Sequence, residues 1–386
     1  MGAGRLRIAF VAEPVGGPSA DDLLSAQPLV ERLRARHDVR VIGHGGVGAA
    51  ARFSAAPGGE AGPGLPRALP AWGEIQALLA GVEVVHLQAP SALSRLVLEI
   101  ARAQHIPVVA AFHVQPAPAL YGVGFRSRHA NRWLYRRWVG KLYNRADVVW
   151  CPTPFAEAKL REHGLTVPVR VIAGEVAPEV SSLVRRPVAD GFFKILMLGR
   201  LSREQRHADV IEAIWRSASE AHIKLTVVGS GPREKAIRRH ALDLQNQAVV
   251  GALPRHALLG HLATADLLVH AGEVELEAPA VIAARSIGLP VLVAQGRESA
   301  ASALALGADF RFPVGNVKLL SQHLDALVAR PEVLREAGSH SAAARQGFGA
   351  QADELEALYH GLLKQKGGRA PRWTLLPLPG RLSEAA

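Results

Sequence analysis

Short apolar runs recur at 6–12, 39–42, 82–87, 108–112, 148–151 and 169–172, with helix-length segments such as 23–36 and 92–104 between them. This alternation predicts an α/β chain with parallel strands joined by crossover helices. The stretch "VAPEVSSLVRRPVADG", residues 176–191, loses the periodicity and carries two prolines, so it reads as a linker. The rhythm then restarts with apolar runs at 193–198, 225–228, 248–250, 267–270, 290–293 and 310–312. Two doubly wound, Rossmann-like domains are therefore expected, over residues 1–175 and 192–364. A cleft should lie between the carboxyl ends of their sheets. The Gly/Ala/Pro-rich segment 45–70 reads as a long surface loop, and 365–386 as an irregular tail.

Composition adds bounds. Hydrophobic residues make up 49% of 386 and aromatics 5%, so the cores are built mainly from Ala, Val and Leu. A single cysteine, Cys151, excludes an intramolecular disulfide and a cysteine-rich metal site, which suits a reducing cytosol. No run approaches the roughly 18 apolar residues of a spanning helix, and the first strand lacks the h-region of a signal peptide. A cytoplasmic protein is expected, soluble or peripheral on the inner face of the membrane.

The net charge of +11 favours an anionic partner: nucleic acid, anionic lipid or a phosphorylated small molecule. Much of it is concentrated in "FRSRHANRWLYRRWVGKLYNRAD". There Arg126, Arg128, Arg132, Arg136, Arg137, Lys141 and Arg145 precede the first acid, Asp147. Leu134, Tyr135, Trp138, Val139 and Leu142 share one arc of a helical wheel. With Trp133, Tyr135, Trp138 and Tyr143 interleaved, the segment suits an anionic bilayer surface. A helix docked on the core with a solvated basic back is the plainer alternative. No nucleic-acid reading motif accompanies the charge, so nucleic acid is not expected.

Four stretches carry candidate chemistry. "KILMLGRLSREQRHADVIEAI" runs strand, turn, helix: Gly199 frees the turn, Arg200 projects at the strand end, and Ser202 is placed to cap the helix over a guest phosphate. "KLTVVGSGPREKAIRRHA" repeats the pattern with Gly229 and Gly231, which suit either close ligand approach or a bare turn. "PVVAAFHVQPAP" ends a strand at His113, a position suited to a cleft. "HAGEVELEAPAVIAARSIGLPVLVA" sets Glu273, Glu275 and Glu277 at a helix entrance. The helix itself holds no acid.

These motifs in this order resemble retaining glycosyltransferases of the GT-B fold, in glycosyltransferase family four. The first-domain segments "HIPVVAAFHVQPAPALYGVGF" and "CPTPFAEAKLREHGL" are similar to a bacterial diacylglycerol glucosyltransferase-like branch. The resemblance implies a nucleotide-sugar donor on the second domain and a hydroxyl acceptor, possible as a membrane lipid or glycan, on the first. It implies no cofactor beyond the donor and no metal. Position by position it gives Arg200 to the diphosphate, Glu275 to the donor sugar and His113 to the reacting centre. Gly199, Gln205, Arg206, Gly229, Gly231, Leu276 and Glu277 fall around the donor, and Gly16 and Gly17 on the acceptor side. The chain departs from the pattern at four places: Ala278-Pro279 replaces a usual glycine, Gly174-Glu175 a usual Asn-Gly, and two more bear directly on the donor. Gln205 stands where a phosphate-binding lysine is usual, and Ala283 where a ribose-binding glutamate is usual. A non-catalytic GT-B module that serves as a binding partner is the alternative these departures raise.

Overall fold

The computed structural model describes residues 4–12, 27–43, 70–117, 127–174, 176–343 and 351–365. The first half runs β1 (Arg7–Val11), α1 (Gln27–Arg36), β2 (Asp38–Ile42), α2 (Trp72–Leu78), β3 (Val84–Leu87), α3 (Ala92–Ala103) and β4 (Val108–Ala111). It continues with α4 (Arg128–Lys141), β5 (Val148–Cys151), α5 (Pro154–Glu162) and β6 (Val169–Val171). The second half begins with α6 (Pro178–Ser181), β7 (Phe193–Leu198), α7 (His207–Trp215), β8 (Ile223–Val228), α8 (Glu234–His240), β9 (Val249–Gly251) and α9 (Arg255–Thr264). Next come β10 (Leu267–His270), β11 (Val274–Glu275), α10 (Pro279–Ser286), β12 (Val291–Gln295), β13 (Glu298–Ser299) and β14 (Arg311–Pro313). The helices α11 (Val317–Val328), α12 (Pro331–Ala343) and α13 (Gln351–Gln365) close the described chain.

Two six-stranded sheets result, ordered β2-β1-β3-β4-β5-β6 and β14-β12-β10-β7-β8-β9, and their strand pairs are parallel. Central strands such as β3, β4, β5 and β10 are buried at every residue, as expected of parallel strands covered by helices on both faces. The two-domain, doubly wound architecture is thus present. In the second sheet the chain starts at β7, moves out through β8 and β9, then returns to β10 on the other side of β7. The strand order reverses between β7 and β10, and the crevice at such a point is where open α/β sheets take ligands.

One element sits elsewhere than its sequence position suggests. Helix α13 falls inside the expected second unit, 192–364, yet Leu355, Tyr359 and Leu362 pack in one apolar cluster with Leu6, Ile8 and Leu33 of the first domain. The buried Tyr359 hydroxyl lies 2.8 Å from His86 Nδ1 of β3, and Arg36 of α1 pairs with Asp353 and Glu356. Local periodicity marks the apolar face of a helix but not the sheet it will cover.

Helix α4 divides its two faces as the wheel predicts. Ser127 caps it, its hydroxyl accepting from the Ala130 N–H at 3.2 Å. Tyr135, Val139, Leu142 and Tyr143 are buried in the first core. Arg128, Arg132, Arg136, Arg137 and Lys141 are exposed. Arg145 pairs with Glu99, and Arg126 lies outside the described residues. The aromatic count changes as a result. Tyr135 and Tyr143 are core residues, Trp138 is partly buried, and Trp133 is 59% exposed with the Arg137 guanidinium 5.5 Å from its ring centre. No helix among the described residues is long and apolar enough to cross a membrane.

Candidate donor site

The loops after β7 and β8 continue the sheet's pairing past the strand ends. Gly199 N–H donates to Val228 O (3.1 Å), Leu201 N–H to Ser230 O (2.8 Å) and Gly229 N–H to Gly251 O (3.1 Å). A Cβ at Gly229 would sit 1.9 Å from Gly199 O, and one at Gly231 2.5 Å from Leu201 O. Both glycines are required by the protein's own backbone, which accounts for their place in the sequence without a ligand. Arg200 stands exposed on this loop. Ser202 is not the helix cap: its hydroxyl donates to Glu204 at 2.6 Å. Helix α7 instead begins at His207 after Arg206, which takes the left-handed conformation at φ 52°.

Across the switch point, the turn after β10 is stitched to this loop at three places. Glu273 N–H donates to Glu204 O at 3.0 Å. Arg206 pairs with Glu273 at 3.1 Å and with Asp209 at 2.8 Å. Gln205 Nε2 donates to Glu275 Oε2 at 3.4 Å. Thus Gln205, in the place of the expected lysine, holds the candidate sugar-binding carboxylate. Arg206, expected to help with phosphate, is committed to two acids. His270 ends β10 with Nε2 4.0 Å from Glu275. Burial pushes its pKa down to about 4, and that of nearby His207 likewise. Both are neutral at pH 7.

The three glutamates of the turn have three different settings. Glu273 faces Arg206, while Glu275 faces Gln205 and His270. Glu277 lies against Gly174 of the first domain, where a Cβ would meet its carboxylate. Burial there pushes its carboxyl up to about 6, opposed by a hydrogen bond from the Gly174 backbone. Leu276 is 4% exposed and joins the first domain's apolar cluster, and its carbonyl accepts from Thr153 Oγ1 at 2.7 Å. Leu276 and Glu277, expected at the donor, are therefore contacts between domains. At the entrance of α10 Pro279 has no N–H, and Val281 N–H bonds to Ala278 O at 3.0 Å. Ala283 is 6% exposed within an apolar cluster that includes Val176 and Val180 of the linker.

On the first domain, His113 follows β4 with its ring edge-on to Trp150, centroids 4.4 Å apart. Burial pushes its pKa down to about 4, and its buried Nε2 has no hydrogen-bond partner among the described residues. A neutral imidazole of this kind orients a hydroxyl better than it takes a proton at pH 7. Gly16 and Gly17 lie outside the described residues. Sequence reasoning missed His270, although it ends a strand just as His113 does. It also missed Gln115, two residues beyond His113.

Residues 25–179 match the family described as Glycosyltransferase Family 4, and residues 184–343 match Glycosyl transferases group 1. The chain belongs to the GT-B glycosyltransferases of family four. It is 30% identical over 218 residues to a GDP-mannose-dependent alpha-mannosyltransferase of Mycolicibacterium smegmatis, covering 54% of this chain and 55% of that protein. It is 23% identical over 270 residues to the alpha-monoglucosyldiacylglycerol synthase of Streptococcus pneumoniae, covering 65% of this chain and 60% of that protein. The matched region therefore spans little more than half the length of these relatives. Among solved structures, sucrose-phosphate synthase from Thermosynechococcus elongatus superposes with a TM-score of 0.69 at 16% identity, over 94% of this chain and all of that one. Anabaena HepE in complex with UDP-glucose gives the same TM-score, identity and coverage. At these identities the likeness is one of fold.

Proposed function

We propose that this GT-B chain transfers a sugar from a nucleotide-sugar donor to a hydroxyl acceptor, with retention of configuration. The observation that carries the reading is the stitching of the Arg200 loop to the Glu275 turn across the β7/β10 reversal, by Gln205 and Arg206. Arg200 is an exposed cation on that loop, suited to the charge that develops on a departing diphosphate. Glu275 accepts hydrogen bonds from donor-sugar hydroxyls, and the acceptor hydroxyl attacks from the leaving-group face. Neutral His113 orients the reacting sugar or acceptor. This chemistry needs neither a metal nor a cofactor besides the donor.

The acceptor side is proposed to face an anionic membrane through the exposed cations of α4, with a lipid hydroxyl as acceptor. The named activity of the pneumococcal relative supports a lipid acceptor, and the exposed arginines support the surface. The protein is then cytoplasmic and peripheral. A second reading, a GT-B module that binds without turnover, is favoured by one observation: Arg206 is held by Glu273 and Asp209.

Titration calorimetry with UDP-, GDP- and ADP-sugars tests the donor site. One member of the panel should bind, and Arg200→Ala should weaken it by about 10- to 100-fold, as expected when a charge-assisted hydrogen bond is lost. Binding without sugar release in a lipid-supplemented assay selects the second reading. No binding by any donor removes the transferase reading and leaves the module that serves as a binding partner.

A further inference from the structure

We propose that Gln115, in the first domain, is a positioning residue for Glu275 in the second. The inference rests on the donor-site reading of Glu275. Glu275 lies on β11, whose only partner among the described strands is β13, with Val274 opposite Glu298 and Glu275 opposite Ser299. Each strand of this ribbon has two residues, and it joins neither six-stranded sheet. A ribbon that short has little stability of its own and takes its position from what grips it.

The grip comes from the first domain. Gln115 Nε2 donates to the Glu298 carbonyl at 3.0 Å, and Lys159 of α5 pairs with the Glu298 carboxylate at 2.8 Å. The amide of Gln115 cannot swing away. It is 3% exposed, and its Oε1 accepts from the hydroxyl of buried Tyr135 at 2.9 Å. One residue beyond the ribbon, Ala300 N–H donates to the Glu275 carbonyl at 2.8 Å. A first-domain side chain thus fixes β13, β13 fixes the backbone of Glu275, and Gln115 acts on the donor carboxylate without touching the donor. The donor site is complete only while the two domains are joined at this point.

The test uses the full chain with two readouts, amide hydrogen exchange and calorimetric donor affinity. Gln115→Met keeps the volume and removes both hydrogen bonds. It should speed exchange of the Ala300 amide and weaken the donor, each by about tenfold, the scale of one net hydrogen bond, while amides of β7 and β8 stay unchanged. Tyr135→Phe, which removes only the restraint on the amide, should shift both readouts in the same direction by less. It carries the comparison if Gln115→Met fails to fold. Unchanged Ala300 exchange in a folded variant overturns the proposal, as does faster exchange with unchanged donor affinity. If the parent chain binds no nucleotide-sugar and Arg200→Ala is equally inert, the donor reading itself fails and the proposal falls with it.

Discussion

The acidic turn after β10 and the basic helix α4 look alike as sequence, each a run of one charge broken by apolar residues, yet the fold uses them in opposite ways. In the turn, every second residue points to a different interior partner: Arg206, Gln205 with His270, and Gly174. In α4 the apolar arc goes inward, and the five cations from Arg128 to Lys141 remain exposed. The difference follows from geometry. Only Val274 and Glu275 of the turn are strand, so no regular period spreads the charges at 273, 275 and 277, and each meets a different neighbour. A helix spreads its charges over a wide arc that water can solvate. Like charge in a sequence is paired in the interior in one case and solvated at the surface in the other, and what packs against each segment decides which.

The sharpest way to break this contrast is to remove the apolar residue that seats the turn. Leu276→Ala empties a position in the first domain's core and should cost about 2–5 kcal/mol, as large-to-small changes in cores do. Denaturant unfolding of the full chain measures it, and a loss below about 0.5 kcal/mol, the scale of surface substitutions, means that Leu276 is not a core residue.

Next in size is the charge comparison itself. Arg206→Met removes the 3.1 Å ion pair to Glu273, whose side chain is only 14% exposed, and the pair to Asp209, and should cost about 1–3 kcal/mol after allowance for partial solvation. Arg132→Gln on the exposed face of α4 should change stability by about 0.5 kcal/mol at most. Equal losses from the two substitutions would erase the distinction.

Glu277 sharpens the turn's side by pH. Its folded pKa, about 6, lies above the ordinary value of 4.5, chiefly through burial. The folded protein therefore holds this proton more tightly than the unfolded chain does. The group's contribution is most favourable below pH 4.5, falls as pH rises to 6, and is flat above that. Glu277→Gln should raise stability at pH 7 by about 1–2 kcal/mol and leave it nearly unchanged near pH 4. The quantity to measure is the difference between variant and parent across pH, because the buried histidines, with pKa values near 4, oppose this trend in both. A constant difference from pH 4 to 8 would place Glu277 in water.

The sequence was most legible where local pattern and global fold agree. The twelve apolar runs became the twelve strands of the two large sheets, because buried parallel strands need unbroken apolar residues. The inner arc of α4 was readable for the same reason. What was not legible depends on partners far along the chain. Ser202 looked like a cap because Ser before a helix so often is, but Glu204 takes its hydroxyl and α7 starts later. Gly229 and Gly231 suit either ligand approach or a bare turn in the sequence, and the close backbone of the neighbouring loop accounts for both. No local signal shows that Leu276 crosses into the other domain, or that α13 returns to the first sheet. Ala283 was expected to mark a lost ribose contact. The linker residues Val176 and Val180 share its apolar cluster, so a glutamate restored there meets apolar side chains.

The smallest effect on stability belongs to the basic face, and its size is what makes the membrane proposal testable. Replacing Arg132, Arg136, Arg137 and Lys141 together by glutamine removes four exposed charges and leaves the buried arc intact. Unfolding should shift by about 0.5 kcal/mol or less per site, since exposed charges contribute little to the fold. Against anionic vesicles the same change should be large: each cation near such a surface contributes about 1 kcal/mol, and added salt weakens the attachment. Of the interleaved aromatics, only Trp133 is well exposed as a salt-resistant anchor, so binding should be mostly electrostatic. Co-sedimentation with anionic and with neutral vesicles gives the answer. Strong anionic preference in the parent, lost in the fourfold variant at unchanged stability, makes α4 a docking face. Equal binding to both vesicle types, or no loss in the variant, reduces its charge to solubility and leaves the donor site with a soluble acceptor.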